Sequence, residues 1–521
     1  MKYEFYQPRF SEGVLAKSLQ GRSSDKALED KNNTYVLEIG QTHASDASGG
    51  YLRLWSQDQL LKDKQGTPAT YEVTLSSTVA WTRAQLATLK YTQSGDYIFV
   101  CCPTKVPQII KRVIDTTATG TGVAADDSVW SVYEYVMTDG PYKEINVYDE
   151  DAASTNKYSL YIAEPTHKEE IAGVEFNTVT NNIVLANHGL QTGMKIRLDD
   201  DGSSDGWGNL CTDNTSATTS TNTALADADY YVVSTTATTF QISTEDAGSP
   251  LEFALATGKT TADADVKVFR YVYPASTSGI TFTLYNNGTA SDDLFSNDDV
   301  GRMIRINPLA KPLTRIGGIR WAWGIISAQG TNTVTVKLKT EMANIRGGTP
   351  SGSNKKAGTP DFRLGAFSIG EGFPSVSQIY QQRMVLGATS IQPSTVWLSR
   401  TANFYDFAPT DIPAQDSPSS IQNGEATEVI TATSALTFTL DSDTLDEIKW
   451  LAESKKLTMG TSAGVYMLYG SETNLVVTPF RFTINRESSF SATDTPPVVV
   501  SNALMYTQIG GKDVQQLLFE G

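Results

Sequence analysis

Gly372-Phe373-Pro374-Ser375-Val376-Ser377-Gln378-Ile379-Tyr380-Gln381-Gln382-Arg383-Met384-Val385-Leu386-Gly387, continued by Pro393-Ser394-Thr395-Val396-Trp397-Leu398-Ser399-Arg400-Thr401-Ala402-Asn403-Phe404-Tyr405-Asp406-Phe407, is rich in β-branched and aromatic residues and broken by turn formers. Such residues suit a pleated, half-buried surface. The stretch therefore predicts two strands around the turn Ser390-Ile391-Gln392-Pro393-Ser394, the second ending in an aromatic plug of Phe404, Tyr405 and Phe407. It holds no nucleophile beside a base and no metal-ligand cluster, so it reads as a packing element rather than a site of turnover. Arg383 and Arg400 follow strand positions, where they could pair with Asp406 or with backbone carbonyls as buried structural arginines.

Outward from this stretch the chain keeps the same character. A length of 521 residues leaves room for about three or four domains. The 19% charged fraction lies below the usual share of about 25%. Tyr35-Val36-Leu37-Glu38-Ile39 and Tyr51-Leu52-Arg53-Leu54-Trp55 alternate with period two and read as a hairpin, Tyr71 to Leu75 as another strand, Tyr97 to Cys101 as a buried strand, and Trp130 to Val136 continues the pattern. Later runs include Tyr466-Met467-Leu468-Tyr469, Phe480 to Ile484 and Pro497 to Val500. Two helical exceptions are expected: a short turn within Thr82–Leu89, and a helix capped by Thr444 and Glu447 with Leu445, Ile448 and Leu451 on its apolar face. The fold class is all-β and multidomain, with propeller-like core sheets interrupted by inserted small β-barrels.

Composition places the boundaries. Residues 1–168 read as an N-terminal arm followed by the first part of the β core. Residues 169–273, rich in Thr, Ala, Asn and Asp, read as one inserted barrel, and 274–345 as a second. Residues 346–361 are a Gly/Ser/Lys/Pro linker, and 362–521 the second part of the core.

A net charge of −17 argues against affinity for DNA phosphates, although an acidic wall would let a duplex slide past without sticking. Cys101 and Cys102 sit next to each other in a strand and should face opposite ways, while Cys211 stands apart in a polar loop. Three cysteines give no disulfide framework and no zinc spacing, which suits folding in a reducing cytoplasm. Neither a signal peptide nor an apolar run long enough to span a bilayer is expected, so no stable membrane insertion follows.

Several short motifs suggest chemistry and then lose it. Asp201-Gly202-Ser203-Ser204-Asp205-Gly206 starts like a calcium loop, but its twelfth position is Thr212 rather than a glutamate, and a solvated turn explains it. Gly120-Thr121-Gly122-Val123-Ala124-Ala125 mimics a dinucleotide fingerprint, yet it lies in a Thr/Ala/Asp loop rather than between strand and helix. His43, His167 and His188 have no metal or triad spacing; His188 reads as a turn residue that packs or caps locally. Asp199-Asp200 is an acidic pair of the kind common on surfaces. Trp321, Trp323 and Trp397 read as core or interface residues, with sugar stacking as the alternative. No enzyme activity, cofactor or metal is implied.

The opening stretch, with Gly372, Phe373, Pro374, Gln381, Gln382, Arg383, Trp397, Ser399, Arg400, Phe404, Asp406 and Phe407, resembles the signature of the nozzle proteins (tail tubular protein B) of short-tailed bacteriophages. Other blocks resemble the same family in the same order. They are Gln7-Pro8 with Gly21-Arg22, Gln93 to Asp96 with Pro103, Pro107 and Arg112, Asp139-Gly140-Pro141-Tyr142 with Asn146, and Asp299 to Arg302 before Trp323-Gly324-Ile325-Ile326. Thr461 to Tyr466 and Pro497 to Asp513 follow. The early arrival of Tyr35 after Gly21-Arg22, and the stop at Gly521, depart from the family and leave the number of blades open. Residues from Ala186 to Phe240 are similar to the FCCH-like small barrel beside the first catalytic cysteine half-domain of ubiquitin-activating enzymes, with no adenylation motif.

The nozzle resemblance implies a virion structural protein of the phage tail, assembled in the host bacterial cytoplasm. It implies a homohexameric ring below the portal and adaptor, with tail fibres or spikes as partners. Double-stranded DNA would pass through the ring without specific binding, and the ring would extend and gate the ejection channel during host entry. A carbohydrate-binding receptor adhesin of a phage tail is the alternative expectation.

Overall fold

Alternating β-branched and aromatic residues turn into antiparallel strands along nearly the whole chain, and the fold is all-β. The computed structural model describes the chain apart from residues 1–14, 21–33, 44–45, 57–58, 65–69, 120–121, 145–157, 163–166, 187, 189, 191, 201–209, 213–226, 237, 246–247, 256–265, 276–277, 308–320, 344–357, 411–429, 442–445, 501–502 and 519–521. The expected calcium-like loop therefore lies outside the described residues, as does most of the expected arm. Within that arm, Leu15–Gln20 is a strand paired with Thr34–His43.

The strands form two units, Met1–Pro141 with Ile369–Pro409 and Thr431–Gly521, and Tyr142–Ser368 with Thr410–Ile430. Both edges of the insertion differ from the composition boundaries at 168 and 362. Tyr142–Glu144 pairs with Phe362–Gly365, which pairs with Met303–Ile306, and Tyr158–Tyr161 pairs with Ile280–Asn286. These strands belong to the same sheet as the strands of the expected 274–345 barrel because their partners are there, and pairing leaves no mark in local composition.

The first unit is a run of five antiparallel sheets. The first contains Thr34–His43, Asp46–Ser56 and Glu72–Ser76. The second is the meander Lys90–Ser94, Tyr97–Cys102, Lys105–Ile114 and Ser128–Glu134. The third is Val376–Tyr380, Arg383–Gly387, Thr395–Leu398 and Leu436–Thr439, and the fourth Ile448–Glu453, Leu457–Thr461, Val465–Tyr469 and Thr483–Ser488. The fifth has three strands, Val498–Val500, Ala503–Thr507 and Val514–Leu518. Successive four-stranded meanders packed face to face are the arrangement of propeller blades.

Each junction has its own contacts. Tyr35, Leu52 and Trp81 of the first sheet region pack with Ile98, Val100 and Cys102. Arg112 stacks on the Tyr35 ring at 4.7 Å and donates to its hydroxyl at 2.9 Å, while that hydroxyl donates to Asp126. Cys101 faces the other way, as expected of neighbouring strand residues, and its thiol meets Ser377 of the third sheet. Burial pushes that thiol up to about 12. Thr92 donates to Gln378 at 3.2 Å across the same junction. Val376, Val385 and Leu398 pack with Leu457, Met459 and Leu468, and Trp450 and Tyr469 with Leu504 and Tyr506.

Of the two helices expected from the sequence, one is present and one is not. The short turn expected within Thr82–Leu89 is the helix Arg83–Leu86, with Thr82 and Gln85 forming a capping box. The helix expected after Thr444 is instead the strand Ile448–Glu453, paired with Leu457–Thr461. Trp450 and Ala452 are buried along with Ile448 and Leu451, so both faces are covered and the apolar spacing no longer distinguishes the two structures.

The second unit has two larger sheets, each wrapped around its own core. One joins Tyr142–Glu144, Phe362–Gly365, Met303–Ile306, Ala322–Gly330, Thr333–Leu338, Ile280–Asn286 and Tyr158–Tyr161 around Phe282, Ile304, Ile306, Val334, Val336 and Phe362. The other joins His167–Gly173, Val266–Tyr273, Lys195–Asp200, Ala228–Thr235, Thr239–Ser243, Asn182–Val184 and Glu175–Asn177 around Ile183, Ile196, Val232, Phe240 and Val268.

His188 is buried in the latter. Its Nδ1 accepts from the Leu190 amide at 3.0 Å, its Nε2 donates to the Thr236 carbonyl at 3.0 Å, and its ring meets Phe240 edge-on. This is the local packing and capping expected from the sequence. Burial lowers its pKa below the ordinary 6.5, so above that value folded and unfolded states are both neutral. As the pH falls, the unfolded chain binds the proton first and the fold loses stability. Imidazole titration followed by NMR should place His188 below the unperturbed value, and His188→Gln should shrink the acid loss in thermal midpoint between about pH 7 and pH 5. An ordinary or raised His188 value would contradict the burial argument.

Candidate functional site: the joint around Arg383

The twelve expected residues come together mainly as joints of the first unit. The stretch forms three strands rather than two. Tyr380 pairs with Arg383 across a hairpin of only two residues, Gln381 and Gln382, whose φ values are +48° and +60°. Two-residue hairpins favour positive φ because it matches the strand twist, and they usually carry Asn or Gly there. The turn after Gly387 then leads to Thr395–Leu398.

Side-chain bonds hold the Gln381 conformation. Its Nε2 donates to the Leu475 carbonyl at 2.8 Å, and its Oε1 accepts from the Val477 amide at 2.9 Å. The amide thus acts as a short piece of strand, fastening the third sheet to a loop of the fourth. The Gln382 carbonyl accepts from the Ala402 amide at 2.9 Å.

Arg383 is the hub. It is 2% exposed and donates to three carbonyl oxygens, Ser399 at 2.6 Å, Ser434 at 2.8 Å and Ala432 at 2.9 Å. Burial lowers its pKa to about 10, so it is still a cation at neutral pH. Ser399 closes the joint: its amide donates to the Met384 carbonyl at 2.8 Å and its hydroxyl accepts from the Met384 amide at 2.9 Å. Both pairings left open by the sequence occur, one per arginine. Arg400 takes Asp406, with its backbone amide on the Asp406 carbonyl at 2.8 Å and its guanidinium 3.4 Å from the carboxylate.

The aromatic plug packs against the segment after the second sheet. The Tyr135 hydroxyl donates to the Phe404 carbonyl, and Phe404 meets Phe99 at 6.1 Å and Tyr405 meets Tyr135 at 5.3 Å. The Phe407 amide donates to the Asp139 carbonyl at 2.8 Å. Trp397 and Phe407 are almost fully buried. Phe373 donates its amide to the Pro103 carbonyl at 3.0 Å, and Pro374 is buried beside it.

Gly372 has φ +82°, and a Cβ there would overlap the Ser390 hydroxyl and lie 3.0 Å from the Ser390 amide nitrogen. Gly372→Ala should therefore lower stability by about 1–3 kcal/mol, read as a shift in urea midpoint. Adding Ser390→Gly should restore only part of it, because the backbone strain persists.

In the second unit, Asp299 and Arg302 form a buried ion pair at 2.6 Å, and Arg302 donates to the Gly365 carbonyl at 2.7 Å. Trp321 is half-buried, with the Arg305 and Arg363 guanidinium groups 4.6 and 5.3 Å from its ring. Asp199 is paired with Arg197 at 2.6 Å. The Gly120-Thr121 part of the expected loop and the side chains of His43, His167 and Cys211 lie outside the described residues.

Sequence reasoning missed the acceptors at Ala432 and Ser434, the Leu475–Val477 loop and the Asp139 carbonyl. All are backbone groups distant in sequence, and side-chain identity carries no signal for them. Among the described residues no group of three or more His, Cys, Asp or Glu side chains could hold a metal ion, and no helix is long and apolar enough to cross a membrane. Compared with protein-family models the chain matches none, and it matches none of the curated proteins.

Proposed function

We propose that this chain is a virion structural protein, a tail nozzle subunit of a short-tailed bacteriophage. Copies of it form a ring below the portal and adaptor, extend and gate the DNA ejection channel and support fibres. The observation that carries this reading is where the resembling residues fall. Gly372, Phe373, Gln381, Arg383, Ser399, Phe404 and Phe407 bind other sheets or segments of the chain through backbone groups and ring packing, and Asp299 and Arg302 do the same in the second unit. A motif spent on joints serves a rigid building block.

The net charge of −17 fits the same role, because an acidic channel wall repels a duplex and lets it slide. The adhesin alternative draws no support from Trp397, which is buried and has no face to offer a sugar. Cryo-microscopy of intact virions tests the reading. The expected result is density for this chain as a closed ring between the adaptor and the tail tip. Its absence from virions would overturn the reading.

A further inference from the structure

Among the described residues, the middle three sheets of the first unit are packed on both faces, whereas the first and fifth each keep one outer face. In the fifth sheet, Val498 pairs with Met505, Ala503 with Val500 and Leu518, and Thr507 with Val514. This register puts Val498, Val500, Met505, Val514 and Leu518 on one face together with Thr507 and Gln516, opposite Leu504 and Tyr506, which are buried against the fourth sheet. The five outward residues are between 38% and 63% exposed. An exposed, predominantly apolar sheet face of this kind is what monomers avoid and interfaces use.

The outer face of the first sheet has different chemistry. Val36 pairs with Trp55, Glu38 with Arg53 and Gly40 with Tyr51. Its charges are already satisfied within the chain. Glu38 accepts from Trp55 Nε1 at 2.8 Å and Tyr51 Oη at 3.2 Å, and Arg53 donates to Glu72 at 2.6 Å. Covering this face would remove Val36, Trp55 and Tyr51 from water without leaving an unpaired charge.

We propose that the apolar face of the fifth sheet docks on the outer face of the first sheet in a second copy of this chain. Sheet-on-sheet packing inside the unit then continues from one copy to the next at the usual spacing of about 10 Å. The contact is head-to-tail, the type that closes into a ring when its rotation closes. Two fifth-sheet faces packed together would bury only their short strands. The first-sheet strands of 10 and 11 residues provide a platform that extends past the patch. The inference rests on the ring reading and adds the surfaces that make the ring.

The test uses the full chain. Val500→Glu combined with Met505→Glu should shift assembly, followed by mass photometry, at least tenfold to higher concentration, with the circular dichroism spectrum and thermal midpoint of the unassembled form unchanged. In a Cys211→Ser background, Val36→Cys with Val500→Cys should oxidise to a ladder of covalent multimers ending in a closed species. Rings that withstand the double glutamate variant would overturn the proposed surfaces and leave the nozzle reading standing. Dimers from Val500→Cys alone would show two fifth sheets packed together and overturn the head-to-tail contact. A wild-type chain that stays monomeric, and is missing from virions, would overturn both.

Discussion

Arg383→Met should lower the free energy of unfolding by about 2–4 kcal/mol, measured by urea titration with tryptophan fluorescence. Two effects oppose each other. The carbonyls of Ser399, Ala432 and Ser434 lose their donor, and each orphaned buried acceptor costs about 1–3 kcal/mol. Against this, burying the guanidinium charge is unfavourable, as its lowered pKa of about 10 records, and removing the charge returns part of that cost. Arg383→Lys separates the contributions. It keeps a charge but lacks the planar fork that reaches three oxygens, so it should fare no better than methionine. The linkage sign is also fixed. A base whose folded value lies below its unfolded one penalises the fold while charged, so the wild type should gain stability as the pH rises through about 10, and Arg383→Met should lack that gain. A methionine variant as stable as the wild type would show that the three carbonyls find other donors.

Trp397→Ala should cost about 3–5 kcal/mol. The indole is 1% exposed on Thr395–Leu398, a strand paired on both sides, so the third sheet cannot close over the loss without moving two ladders. Trp397→Phe keeps most of the apolar area and should cost well under half as much. If the alanine variant lost less than about 1 kcal/mol, the site would be collapsing freely and the joint would be softer than its packing implies.

How much of this could be read in the sequence depended on whether the signal was local. Short apolar runs rich in aromatic and β-branched residues placed Tyr97–Cys102 and Val465–Tyr469, strands buried on both faces, because side-chain type along a strand reports its own environment. At Ile448–Glu453 both faces are buried as well, and the spacing of Leu445, Ile448 and Leu451 fits a helix as readily as a strand. The Gln381-Gln382 hairpin was invisible because glutamine is not a usual residue at positive φ, and the Leu475–Val477 backbone that stabilises it lies more than ninety residues along the chain. For the arginines, residue type indicated buried pairing, but only the fold assigned carbonyls to Arg383 and a carboxylate to Arg400.

The junction that carries Cys101, Phe99 and Thr92 on one side needs Ser377, Gln378 and Phe404 on the other. More than 270 residues separate its halves, and the ribosome adds roughly 5–20 residues per second. The nascent protein therefore waits tens of seconds with the greasy back of its second sheet bare. Yield in a foreign host should depend less on final stability than on whether a chaperone shelters that surface until its lid has been translated.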